Sequence, residues 1–163
     1  MEAPVLPANE PVRLAALYRL HLLDTPPDDR FDRITRLACR IFDVSTSMVT
    51  LIDRDRQWFK SSYGLDMDVC ESGRDVSFCG HTILQNGPFV IEHTMMDPRF
   101  FDNPFVNGPP HVRFYAGQPV KSPDGYNIGT LCLLDATSRE FAGEDIETLA
   151  DMARWVEFEI ANS

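Results

Sequence analysis

HVRFYAGQPV (111–120) and YNIGTLCLLD (126–135) are the two runs whose reading decides the fold. Both are rich in aromatic, β-branched and aliphatic residues, the composition of buried or half-buried strands. Between them lies Lys121-Ser122-Pro123-Asp124-Gly125, with proline second and glycine fourth in a type I turn. A tight connection of this kind fits neighbouring strands of an antiparallel sheet.

Upstream, DPRFFDNPFVNGPP (97–110) holds too much proline and asparagine for a long regular element. It reads as a lid-like loop with a short helix. FVIEHT (89–94) reads as a strand, and residues 78–85 as a short helix closed by Asn86-Gly87. SMVTLIDRD (47–55) and RQWFKSSYG (56–64) are two further strands, followed by a polar loop to about residue 74. Ahead of them, residues 12–23 form a first helix with Leu14, Leu17, Tyr18 and His21 at helical spacing. The second helix is expected to take Thr25 as cap and Pro26 as its first residue, with Asp28 completing a capping-box-like pair. It runs to about Asp43 and places Phe31, Ile34, Ala38, Ile41 and Phe42 on one stripe. Downstream, residues 143–161 form an amphipathic helix with Ile146, Leu149, Ala150, Ala153, Val156 and Ile160 on its main face. Ala142 offers it no cap, so Glu144 and Asp145 support its start through the helix dipole. The order is an α+β fold, one antiparallel sheet with helices on its faces. Residues 1–11 are expected to be a flexible lead and 12–163 a single domain.

Composition narrows the function. The 163 residues are 44% hydrophobic with 11 phenylalanines, enough for one domain with a sizeable core. A net charge of −10 with scattered basic residues opposes binding to nucleic acid or an anionic membrane. The sequence carries neither a membrane-spanning run nor a secretory signal, so a cytoplasmic location is expected. Cys39, Cys70, Cys79 and Cys132 lack paired spacing and read as buried reduced thiols.

FCGHTI (78–83), DPRFFDNPFV (97–106), RFYAGQPV (113–120), PDG (123–125) and IGTLCLLD (128–135) occur together and in order. In this combination the chain from about Phe31 onward resembles a bacterial GAF domain. The resemblance implies a six-stranded antiparallel sheet, with terminal helices on one face and a small-molecule pocket under a lid with short helices on the other. It also implies a sensory module without catalysis of its own, placed before outputs such as diguanylate cyclases or histidine kinases.

Cys79 and His81 sit two residues apart. On a helix, successive residues turn by about 100°, so the two diverge and do not share a metal. GAF domains that attach bilins usually do so at a cysteine followed directly by histidine, whereas Gly80 follows Cys79 here. The Asn-Lys, Phe and Asp-Glu signature of cyclic-nucleotide-binding GAF domains is absent, as is a glycine-rich phosphate loop. No cofactor is named by the sequence.

The expected ligand-binding set is Phe78, Cys79, His81 and Thr82 on the short helix, Asp97, Phe100, Phe101 and Asn103 in the lid, and Tyr115 and Cys132 on strands. Leu20, Leu23, Met152 and Trp155 fall off the main helical stripes and are expected to pair two copies into a homodimer that drives a C-terminal output domain. Two alternatives stand beside this reading: a GAF-like free methionine sulfoxide reductase using Cys79 and Cys132, and a ligand-free dimerisation scaffold.

Overall fold

The computed structural model describes residues 1–66 and 68–163. Helices α1 (Glu10–Arg19) and α2 (Asp29–Phe42) lead into strands β1 (Thr46–Ile52), β2 (Arg56–Tyr63) and β3 (Glu71–Gly73). A 3-10 turn (Arg74–Val76) and the one-turn α3 (Cys79–Thr82) precede β4 (Phe89–Ile91). A second 3-10 turn (Thr94–Met96) and α4 (Pro104–Asn107) then lead to β5 (Phe114–Lys121), β6 (Asn127–Asp135) and α5 (Glu144–Ala161). The strands make one sheet in the order β3-β2-β1-β6-β5-β4, and each neighbouring pair is antiparallel. The central hairpin β5–β6 is the one predicted by residues 111–135. The sixth strand, β3, falls in the expected polar loop, because three residues are too few for a period of two to show.

Alternation sorts the strand side chains onto two faces. On one face Val49, Leu51, Phe114, Ala116, Leu131 and Leu133 meet Leu17 of α1, Phe31, Ile34 and Ala38 of α2, and Leu149, Ala153 and Val156 of α5. On the other, Met48, Ile52, Tyr115, Cys132 and Leu134 meet Phe78 and Cys79 around α3 and Phe100 and Val106 of the lid. Gly129 makes the sheet possible at its centre, since a Cβ there would stand 1.8 Å from the Thr50 carbonyl oxygen.

Several local expectations are corrected. Asp28, not Thr25, caps α2: its carboxylate accepts the Arg30 N–H at 2.9 Å, and Arg30 holds its pKa down at about 2. Thr25 stays outside the helix, donating to the Leu22 carbonyl and accepting from Lys60 Nζ at 2.8 Å. The first helix stops at Arg19, and His21 lies in the left-handed region with φ 53°. Ile41 leaves the α2 stripe and is 56% exposed. Cys70 is exposed rather than buried.

The N-terminal lead is held against the lid. Glu2 donates its N–H to the Arg99 carbonyl at 3.0 Å, and its carbonyl accepts from His81 Nε2 at 2.9 Å. The Met1 ammonium pairs with Asp102. Pro4 lies over Gly80, so close that a Cβ there would reach it at 2.7 Å. Backbone bonding of this kind leaves no periodic trace in sequence. No helix among the described residues is long and apolar enough to cross a membrane.

The expected dimer residues are largely occupied by their own chain. Met152 is buried in the helix-side core, and Leu20, Leu23 and Trp155 pack against that core half-buried. The reason is that α5 packs on both the sheet and α2, which covers two of its faces. Phe158, by contrast, stands 63% exposed on α5.

Candidate functional site

A cavity of about 280 Å³ opens between the lid face of the sheet, α3 and the end of the lid. Its floor is Met48, Gln57, Phe59, Tyr115 and Leu134 from the strands, with Phe78 and Cys79 at one side. Phe105, Pro109, Pro110 and Val112 form the lid wall. Leu65, Asp66, Val69 and Ser72 form the opposite wall, where exposed Asp66 and Val69 mark the mouth.

Among the described residues no lysine, arginine or histidine lines this space, and Asp66 is the one formal charge. The most telling polar group is Gln57. It is 5% exposed, and its Nε2 donates to Ser72 Oγ at 2.7 Å while Oε1 is buried without a partner. An unpaired buried amide oxygen costs about 1–3 kcal/mol.

Of the expected ligand-binding residues, the structure brings Phe78, Cys79 and Tyr115 to the cavity wall. The others are placed elsewhere. His81 turns away from Cys79, packs edge-on against Phe100 and bonds the Glu2 carbonyl; burial lowers its pKa, favouring the neutral ring. Thr82 is fully buried and bonded to the Tyr115 hydroxyl at 2.6 Å. Asp97 pairs with the Arg99 guanidinium and accepts the Arg99 N–H at 2.9 Å, closing a lid turn. Asn103 caps α4 by accepting the Phe105 N–H at 2.9 Å, and its Nδ2 donates to the Val76 carbonyl at 3.0 Å. Phe100 is buried and stacked on Phe78 at 4.7 Å, filling space beneath the lid, whereas Phe101 is 47% exposed. Cys132 lies behind Cys79, away from the cavity surface.

Half of the lining residues missed are on β2 and the segment after it, the rest on β1, β6 and the end of the lid. Gln57 and Phe59 alternate with buried Trp58, which packs on the helix side. That alternation is visible in RQWFK, although which parity faces the lid depends on a register shift between Val49 and Thr50. Leu65 and Val69 gave a weaker signal, as apolar residues in a polar stretch.

Beneath the floor lies a polar cluster. Cys79 Sγ sits 3.7 Å from Cys132 Sγ and receives the hydroxyls of Tyr115 and Thr130, each at 3.2 Å. Thr50 backs Thr130 at 2.7 Å. Burial opposes ionisation of Cys79, but the bonds from Cys132, Thr130, Tyr115 and Thr50 outweigh it and bring its pKa down to about 7. Burial and the neighbouring Cys79 push Cys132 well up, so the pair shares one proton-poor sulfur. Gly117 makes room for this cluster: a Cβ there would stand 2.1 Å from Tyr115 Oη. Among the described residues no group of three His, Cys, Asp or Glu side chains stands together in a metal-binding arrangement.

One further network links the cavity wall to the helices. Ser72 is followed, after Gly73, by Arg74, whose buried guanidinium pairs with Glu10 of α1. Glu10 also holds buried Arg13 at 2.7 Å, and Arg74 bonds the Asp53 carbonyl at 3.0 Å.

An antiparallel six-stranded sheet with helices behind and a lidded hollow in front defines the class to which this chain is similar. A family model described as a GAF domain matches residues 26–160, and the chain belongs to that family. Among curated proteins it is similar to the cyclic di-GMP phosphodiesterase PA2567 of Pseudomonas aeruginosa, 38% identical over 157 residues. That match takes in 96% of this chain but 26% of the phosphodiesterase, so the chain spans about a quarter of that relative's length. Among solved structures, the GAF domain of an Acinetobacter phosphoenolpyruvate-protein phosphotransferase matches with TM-score 0.68 and 16% identity, covering 93% of this chain and 94% of that one. The free methionine-R-sulfoxide reductase of Neisseria meningitidis matches with TM-score 0.65 and 20% identity, covering 99% and 98%. At these identities the two structures show a shared fold alone.

Proposed function

We propose that this GAF domain is a cytoplasmic sensory module whose cavity takes a small, uncharged, mainly apolar molecule carrying one hydrogen-bond donor. The observation that carries this reading is the half-open apolar cavity of about 280 Å³ lined by Gln57, whose amide oxygen has no partner among the described residues. Anionic effectors, cyclic nucleotides among them, are disfavoured because the described lining residues offer no cation and one carboxylate.

The output we propose lies outside this chain and turns over cyclic di-GMP. Its support is the similarity to a relative named as a cyclic di-GMP phosphodiesterase; a diguanylate cyclase or histidine kinase output is the other form of the same reading. The route out of the site runs through Ser72 and Arg74 to Glu10 on α1. A molecule that favours one position of Val69 and Ser72 in the wall thereby favours one position of α1, and a helical homodimer passes that bias on as a population shift.

Native mass spectrometry of protein purified from its own host tests the reading, followed by thermal-shift titration with neutral aromatic alcohols and amines and with matched carboxylates. Retained or added neutral ligands should raise Tm, the carboxylates should not, and Gln57→Leu should weaken binding about tenfold, the worth of one hydrogen bond. Equal binding of neutral and anionic probes, or an unchanged Gln57→Leu affinity, would refute the site as described.

A further inference from the structure

The thiol cluster under the cavity floor does not follow from ligand sensing. An apolar floor needs only an aliphatic side chain there, yet Cys79 takes hydroxyl bonds from Tyr115 and Thr130 and lies 3.7 Å from a second sulfur. Convergent donors are what a sulfur anion requires when water is absent. Cys79 also reaches the cavity wall, so a small uncharged oxidant has a path to it, while Cys132 stands behind as the nearest nucleophile.

We infer that Cys79 and Cys132 form a dithiol that hydroperoxides entering the cavity convert to a disulfide, with Cys79 attacking and Cys132 resolving. In the first step the Cys79 thiolate attacks the distal oxygen of the hydroperoxide. The S–O bond forms, the O–O bond breaks, and the alkoxide or hydroxide leaves and takes a proton from water. Cys79 is then a sulfenic acid and the peroxide has been reduced by two electrons. In the second step Cys132 sulfur attacks Cys79 sulfur; the S–S bond forms, the S–O bond breaks, and the departing hydroxide accepts the Cys132 proton as water. The four hydroxyl and thiol groups around Cys79 explain why the first step falls on this residue. Its thiol ionises at about 7, whereas burial pushes Cys39 up to about 11. The thiolate advantage of Cys79 at neutral pH is partly offset by the lower intrinsic nucleophilicity of a more acidic thiol, and Cys79 remains the faster of the two. This site stands independently of any effector.

The test treats the wild-type protein with hydrogen peroxide at neutral pH and maps its thiols by alkylation and peptide mass spectrometry. The expected product has lost the mass of two hydrogen atoms, carries a Cys79–Cys132 linked peptide, and reverts with dithiothreitol. Cys132→Ala should instead accumulate a Cys79 sulfenic acid that dimedone traps. Exposed Cys70 serves as the internal comparison. A free Cys79 at peroxide concentrations that modify Cys70 would overturn the inference, as would wild-type Cys79 passing to sulfinic acid unlinked. Oxidation of the pair by free methionine sulfoxide, with methionine released in equal amount, would also overturn it, reassigning the cluster to reductase chemistry.

Discussion

The two faces of one sheet are packed in different ways. Behind it, Phe31, Ile34, Leu131, Leu149 and Val156 belong to one closed apolar cluster, with buried Lys60 over the Phe31 ring and a Thr35–Ser61 hydrogen bond at its margin. In front, Phe78, Phe100 and Tyr115 stack in a layer that leaves a hollow beside it and places hydroxyls and thiols beneath it. Phe31→Ala and Phe105→Ala probe that difference directly. Phe31 is fully buried, so its removal should cost about 3–5 kcal/mol by denaturant unfolding, as the cavity left behind cannot collapse. Phe105 only lines the hollow, and its removal should cost about 1 kcal/mol or less while enlarging the site. Equal losses would mean that the lid side is core as well.

Glu10 tests the seam between the faces. It holds Arg13 and Arg74, both buried, so Glu10→Gln leaves two guanidiniums without their carboxylate and should cost roughly 3 kcal/mol. Burial raises the Glu10 pKa, but hydrogen bonds from Arg13 and Arg74 outweigh that and lower it below 4.5. A carboxyl with a depressed folded pKa contributes stability that is complete above its unfolded pKa and disappears as pH falls through the folded one. Wild-type stability should therefore drop below about pH 4.5 more steeply than that of Glu10→Gln. If the variant instead keeps its full acid sensitivity, the network contributes nothing.

Gly117 sharpens the comparison within the lid side. Gly117→Ala brings a Cβ to 2.1 Å from Tyr115 Oη, forcing the phenol off Thr82 and Cys79. Overpacking of this kind costs roughly 1–3 kcal/mol. It should also slow alkylation of Cys79 at neutral pH, because the thiolate loses a donor. Unchanged Cys79 reactivity would show that Tyr115 does not hold the sulfur.

The sequence displayed the closed side far better than the open one. The stripe Phe31, Ile34, Ala38, Phe42 follows from periodicity and the hairpin 111–135 from composition and its turn residues; Ile41 leaves the stripe, and the first strand of the hairpin starts at Phe114 rather than residue 111. The lid side is built from short pieces whose side-chain directions depend on three-dimensional register. Phe100 and Phe105 are five residues apart in one loop, yet the first fills space beneath the lid and the second lines the hollow. Polar lid residues misled for a related reason. Asp97 and Asn103 satisfy their own backbone turns, and only coordinates separate that use from ligand contact. Gln57 escaped notice because a polar residue in a strand reads as solvent-facing until its burial is seen.

The smallest stability effect belongs to the outside of the closed side. Leu20, Leu23 and Trp155 are half-buried against their own core and Met152 is buried within it, which leaves Phe158 as the large exposed apolar residue of α5. Phe158→Glu removes little packing, since Phe158 is 63% exposed, so denaturant unfolding should move by no more than about 0.5 kcal/mol. Met152→Glu places a carboxylate in the helix-side core and should unfold the domain outright. The pair therefore separates association from folding. If two copies meet through α5, Phe158→Glu shifts the sedimentation equilibrium toward monomer with the circular dichroism spectrum intact. A dimer that survives Phe158→Glu must be held by another surface, and exposed Val12 and Tyr18 on α1 are then the residues to change next.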